Sequence, residues 1–174
     1  MTPLPTLIIT LGDPSGIGPE ILLKSLPQLT HRARIAIIGS RAGIELFSKS
    51  KHNNHKWLWG DAPFTVGCAT ESFGFYLIDP SNPTEMYSAL WLDPYPLSLN
   101  KLNIGVPSSN SGKSSMEALI LATRLMNSHK ADALVTLPIS KSSIIASGEV
   151  FTGHTGYLQE ATGSKHTQMI FMSP

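Results

Sequence analysis

Cysteine is almost absent from this chain: Cys68 is its only one. No disulfide can close within the chain and no thiolate cluster can hold a metal, which suits a reducing compartment. Cys68, in the apolar stretch 64–68, reads as a small buried hydrophobe rather than a redox group. Charge is scarce as well. Asp, Glu, Lys and Arg make up 14% of the residues, and 13 Lys and Arg against 12 Asp and Glu leave a net charge of +1. Such a balance lacks the basic surface that nucleic-acid binding requires. Low charge beside 41% hydrophobic residues predicts that part of the surface is covered, by a second subunit or by further chain. No apolar run approaches the ~18 residues needed to span a bilayer, and MTPLPTLIIT has neither the basic start nor the apolar core of a signal peptide. The expectation is a cytoplasmic protein with no membrane and no nucleic-acid partner. The length of 174 residues allows one ordinary domain, or one domain and the opening of a second.

What is present is an alternation of short apolar runs and helical patterns. The run 7–11 reads as a strand, GDPSGIGPE as a glycine-rich loop and ILLKSL as the helix after it. RIAII (34–38) is a second strand, Gly39-Ser40 a turn and 41–49 a second helix. This βαβα rhythm over residues 1–50 predicts a parallel-type sheet flanked by helices, an α/β fold. Residues 51–107 read as irregular strands and loops. They hold apolar runs at 64–68 and 74–78, interrupted by Pro63, Pro80, Pro83, Pro94, Pro96 and Pro107. Regular structure returns in a second α/β segment, 108–174. There 111–127 is an amphipathic helix, 132–136 a strand, 138–147 a loop entering a short helix, 153–162 a glycine turn and helix, and QMIFM (168–172) a further strand.

Three segments have the chemistry of a site. In the first loop, Gly12, Gly16 and Gly18 follow a G-x3-G-x-G spacing rather than the G-x-G-x-x-G of a dinucleotide fingerprint. Gly16 and Gly18 let backbone approach a ligand, and Pro19 suits a helix start, so amides there can meet an anion. Asp13 lines the loop or caps its turn. The second segment, Thr136 to Lys141, follows a strand directly, and Lys141 offers positive charge for a phosphate or carboxylate; a solvated surface lysine is the plainer alternative. The third, Thr152-Gly153-His154-Thr155, puts an imidazole and a hydroxyl side by side at a helix start. Loops after parallel strands share one rim, so the three can compose one site. Two patterns are set aside. Ser111-Gly112-Lys113-Ser114 ends like a phosphate-binding P-loop, but Pro107 stands where that motif needs glycine. His52 and His55 in KHNNHK lie in a wholly polar stretch that reads as a solvated loop.

In order and spacing these segments resemble the 4-hydroxythreonine-4-phosphate dehydrogenase family of vitamin B6 biosynthesis. ITLGDPSGIGPEI is similar to that family's ITxGDPAGIGPEI, DALVTLPISK to DAxVTxPxxK, and FTGHTGYLQEATG to FxGHTEYLAExTG; Gly156 stands where the family usually carries glutamate. The resemblance implies an isocitrate/isopropylmalate-dehydrogenase-like fold, truncated here, and a homodimer with sites near the subunit interface. The activity it implies is NAD(P)-dependent oxidation and decarboxylation of 4-phosphooxy-L-threonine, a small phosphorylated hydroxy acid, on the way to pyridoxal 5'-phosphate. The family's His-Thr substrate pair falls on His154 and Thr155. Its divalent metal (zinc, magnesium or cobalt) sits on histidines downstream of that pair, beyond Pro174, as does its phosphate-binding lysine, asparagine and arginine. The resemblance therefore assigns this chain no metal ligand, cofactor contact or catalytic residue. The expectation is the N-terminal part of such an enzyme, inactive as a fragment. The competing expectations are a paralogous dehydrogenase of another phosphorylated sugar acid or diol, and a non-catalytic ligand-binding or dimerisation module.

Overall fold

In the computed structural model, residues 4–50, 56–61, 70–77 and 86–172 are described, with side chains for 4–48 and 89–172. Cys68, the apolar run 64–68, His52 and His55 lie outside the described residues. The apolar run near the N-terminus forms strand β1 (Thr6–Thr10), followed by helix α1 (Gly18–Leu29), strand β2 (Arg34–Ile38) and helix α2 (Arg41–Ser50). β1 and β2 pair in parallel, Ile8 opposite Ala36. Strand β6 (Ala133–Thr136) runs parallel on the other side of β1, and strand β5 (Met86–Asp93) runs parallel on the far side of β2. This gives a four-stranded parallel sheet, β5-β2-β1-β6.

Side chains alternate across a strand, so each strand feeds two cores. Ile9, Leu11, Ile37 and Trp91 pack with Leu22, Leu23 and Leu26 of α1 and with Ile44 and Phe47 of α2. Ile8, Ala36, Ile38 and Leu92 pack with Ala118 and Ala122 of the long helix α3 (Ser109–Asn127). With both faces covered, TLIIT and RIAII read as near-continuous apolar runs rather than alternating ones. Full burial of one such side chain contributes about 1.5–3 kcal/mol.

Within residues 51–107, expected as strands and loops, the described strands extend the sheet. Strands β3 (Lys56–Asp61) and β4 (Thr70–Leu77) join β5 in antiparallel order, so one six-stranded sheet runs β3-β4-β5-β2-β1-β6. β4 contains most of the expected run 74–78, whereas β3 and β5 carry no simple apolar alternation in KWLWGD and MYSALWLD. At the other end, helices α4 (Lys141–Ala146) and α5 (His154–Thr162) follow β6. The expected strand at 168–172 does not form: these residues pair with no strand among the described residues, and Met169, Ile170, Phe171 and Met172 are exposed. Apolar composition alone does not make a strand. A ladder needs a partner edge, and nothing aligns these residues with β6.

Candidate functional site

The chain leaves β1 toward β2 on one side and returns in β6 on the other, so the carboxyl ends of β1 and β6 flank a topological switch point, the place where open α/β sheets bind ligands. The loops leaving these two strands are tied together. Asp13 N–H donates to Pro138 O at 2.9 Å. Asp13 is buried and closes its own turn, accepting from Ser15 N–H on Oδ1 at 2.8 Å. Its Oδ2 faces Ser143 of α4, whose hydroxyl donates at 3.4 Å. Burial pushes the Asp13 carboxyl above its ordinary range, while the bonds from Ser15, Ser143 and Ser111 pull the other way.

Serines extend this connection. Ser108 caps α3 by accepting from Ser111 N–H at 3.2 Å, and its own N–H donates to Ser143 Oγ at 3.2 Å. Ser15 Oγ and Ser111 Oγ lie 3.0 Å apart, and Ser115 Oγ–H reaches Gly12 O at 3.2 Å. The β1 loop, the start of α3 and the start of α4 thus form one hydrogen-bonded unit. Sequence reasoning passed over these hydroxyls; the density of serine in SSNSGKSS was the available signal.

Gly18 is buried and a Cβ there would overlap Leu11 O, so the missing side chain makes room for the end of β1. Gly16 is exposed. It borders a cleft of about 300 Å³ lined by Ser15, Gly16, Ile17, Glu20, Phe47, Ile104 and Gly105. The cleft is largely apolar, and neither Lys141, His154 nor Thr155 lines it.

The other expected residues meet elsewhere on the rim. Lys141 opens α4, and its Cε and Nζ lie 3.9 Å from the point where a Cβ of Gly153 would stand. Gly153 has φ +141° and ψ 169°, a conformation reserved for glycine, and it starts α5 directly beside that ammonium. His154 is half-buried against Phe151, ring centroids 5.9 Å apart in an edge-on arrangement. Its Nε2 is fully buried without a hydrogen-bond partner, and burial lowers the imidazole pKa. Thr155 is exposed. Lys141 thus stands beside Gly153, which precedes His154 and Thr155 in the chain, while Asp13 is tied inward to Pro138 and Ser143. Gly16 stands apart at the apolar cleft.

No three His, Cys, Asp or Glu side chains converge among the described residues in a way that holds a metal ion. Nor is any helix there long and apolar enough to cross a membrane.

Known proteins share this arrangement of loops and strands. A 4-hydroxythreonine-4-phosphate dehydrogenase from Sulfurihydrogenibium sp. is 38% identical over 95% of this chain and 45% of its own length. A D-threonate 4-phosphate dehydrogenase from Cupriavidus necator is 31% identical over 98% of this chain and 47% of its own. Among solved structures, a 4-hydroxythreonine-4-phosphate dehydrogenase from Burkholderia phymatum superposes with a TM-score of 0.64 over 95% of this chain and 46% of that one, at 24% identity, which establishes a shared fold. The chain spans about half the length of the curated relatives it matches. The family model described as pyridoxal phosphate biosynthetic protein PdxA matches residues 52–174, and the chain belongs to that family.

Proposed function

We propose that this chain is the N-terminal part of an NAD(P)-linked dehydrogenase that oxidises and decarboxylates 4-phosphooxy-L-threonine, and that it contributes substrate contacts rather than the whole reaction centre. The observation that carries this reading is the placement of Lys141 beside Gly153, immediately before His154 and Thr155, with α4 linked through Ser143 to the start of α3. His154, kept neutral by its burial, and the Thr155 hydroxyl both offer hydrogen bonds to a hydroxylated, anionic ligand. An isocitrate/isopropylmalate-dehydrogenase-like assembly and a homodimer belong to the same reading and rest on the sequence resemblance; a cytoplasmic location rests on the near absence of cysteine.

The described residues do not fit a catalytic metal, since no three donors converge. The first loop does not have the fingerprint spacing of a dinucleotide site, and its Gly18 is pressed on Leu11 O. On this reading the metal falls to residues outside those described. What the residues of this chain do is bind and orient the substrate. The relatives' names divide between 4-hydroxythreonine 4-phosphate and D-threonate 4-phosphate. Calorimetric titration of the chain with each compound tests the reading. His154→Ala is expected to weaken binding about tenfold or more, the worth of a hydrogen bond to a charged ligand. Equal affinity of parent and variant, or no binding of either compound, would overturn the assignment.

A further inference from the structure

His154 presents two different faces. Nε2 is buried with no partner, whereas Nδ1 makes no hydrogen bond within the described residues and is not enclosed. A buried N–H donor without an acceptor is rarer and costlier than a buried acceptor without a donor. The proton of the uncharged ring therefore belongs on Nδ1, at the open side. Phe151, itself 6% exposed, packs edge-on against the ring.

Lys141 supplies the second donor. Its side chain ends beside Gly153, the residue immediately before His154, and no carboxylate among the described residues pairs with it. From this geometry we infer that Lys141 Nζ and His154 Nδ1–H form a two-donor seat for one oxyanionic group of the ligand, with Lys141 as its specificity-determining residue. The inference rests on the reading of His154 as a ligand-facing residue and adds which nitrogen faces the ligand and which cation accompanies it. A carboxylate and a phosphate present the same chemistry to such a seat.

Long-range nitrogen–proton correlation spectra of the ¹⁵N-labelled chain test both parts. In the free chain, His154 is expected to carry its proton on Nδ1 and to leave Nε2 bare. Inorganic phosphate and acetate, added in separate titrations, then tell the sources apart: a saturable shift of the His154 Nδ1 resonance with one of them identifies the group seated there. Lys141→Gln should weaken that anion about tenfold, and Lys141→Arg should restore most of the affinity. Lys141 is exposed, so the substitution leaves the fold intact, which circular dichroism verifies. A proton on Nε2, no saturable shift with either anion, or an affinity indifferent to Lys141→Gln would each overturn the seat. A seat that passes these tests while 4-phosphooxy-L-threonine binds no tighter than inorganic phosphate stands by itself and removes the substrate assignment instead.

Discussion

Asp93, at the carboxyl end of β5, is 4% exposed, and its Oδ2 accepts the N–H of Arg41, the first residue of α2, at 3.0 Å. It caps that helix from another strand. Oδ1 has no partner, and neither does the buried Ser40 hydroxyl next to Arg41 in the chain. Burial pushes the carboxyl up to about 6 from an ordinary 3.8, against the pull of the Arg41 and Tyr95 amides and the Arg41 charge. With the folded value above the unfolded one, this group's stabilising contribution is fully present below pH 3.8 and is lost as pH rises through 6. Asp93→Asn keeps an oxygen for Arg41 N–H and removes the penalty of the buried charge. It should raise stability at pH 7.5 by on the order of 1–3 kcal/mol and change little at pH 4. Urea unfolding of parent and variant at both values reads the difference directly, so the opposite contribution of His154, whose lowered pKa disfavours the fold as pH falls, cancels. A variant less stable than the parent at pH 7.5 would mean that the charged carboxylate is the better cap.

Helices α3 and α4 meet through a glycine of the expected helix 111–127. Gly112 belongs to the stretch that ends like a P-loop, yet it lies inside α3, where a Cβ would overlap the backbone of Ser143 in α4. Two effects of Gly112→Ala oppose each other. Alanine favours an isolated helix by about 1 kcal/mol, while overpacking against backbone that cannot rotate away costs about 1–3 kcal/mol or more. The clash should win, because the atoms it meets are Ser143 C and O and Ile144 N rather than a flexible side chain. Urea unfolding should show a net loss of stability, and since α4 carries Lys141 the anion affinity should fall with it. A neutral or stabilising result would show that the two helices can slide apart. At this scale the sequence is legible where local pattern and burial agree: the runs at 7–11 and 34–38 and the spacing over 111–127 all become elements within a residue or two of the expected bounds. It is not legible for β3 and β5, whose KWLWGD and MYSALWLD take their strand character from their neighbours in the sheet. QMIFM errs the other way: β-prone and apolar, it pairs with no strand among the described residues.

For the molecule as a whole, the carboxyl rim divides into two regions. One is the polar corner of Lys141, His154 and Thr155; the other is the apolar cleft of Gly16, Phe47 and Ile104. A catalytic divalent metal needs about three protein ligands and an open position. Among the described residues His31, His129, His154 and His166 do not gather with acidic side chains into such a set. The purified chain should therefore hold no stoichiometric zinc, magnesium or cobalt by elemental analysis after incubation and desalting. It should also produce no reduced nicotinamide above background with NAD or NADP and 4-phosphooxy-L-threonine. Metal-dependent turnover by these 174 residues would overturn this division of labour and direct the search to residues outside those described.

Local chemistry in the sequence was enough to place the glycine-rich loop after a first strand, Lys141 after a later one and the His154-Thr155 pair at a helix start, because turn residues, helix starts and apolar periodicity act over a few neighbours. It could not decide which of these residues face one another. Asp13 and Ser143 are 130 positions apart, and Ser15 and Ser111 are 96 apart; only the strand order β5-β2-β1-β6 brings their loops to one rim. Which nitrogen of His154 is enclosed, whether Gly18 serves a ligand or the end of its own strand, and whether an aspartate at the end of β5 is buried are all consequences of packing between distant segments. Those contacts arise when the sheet forms and both of its faces are covered.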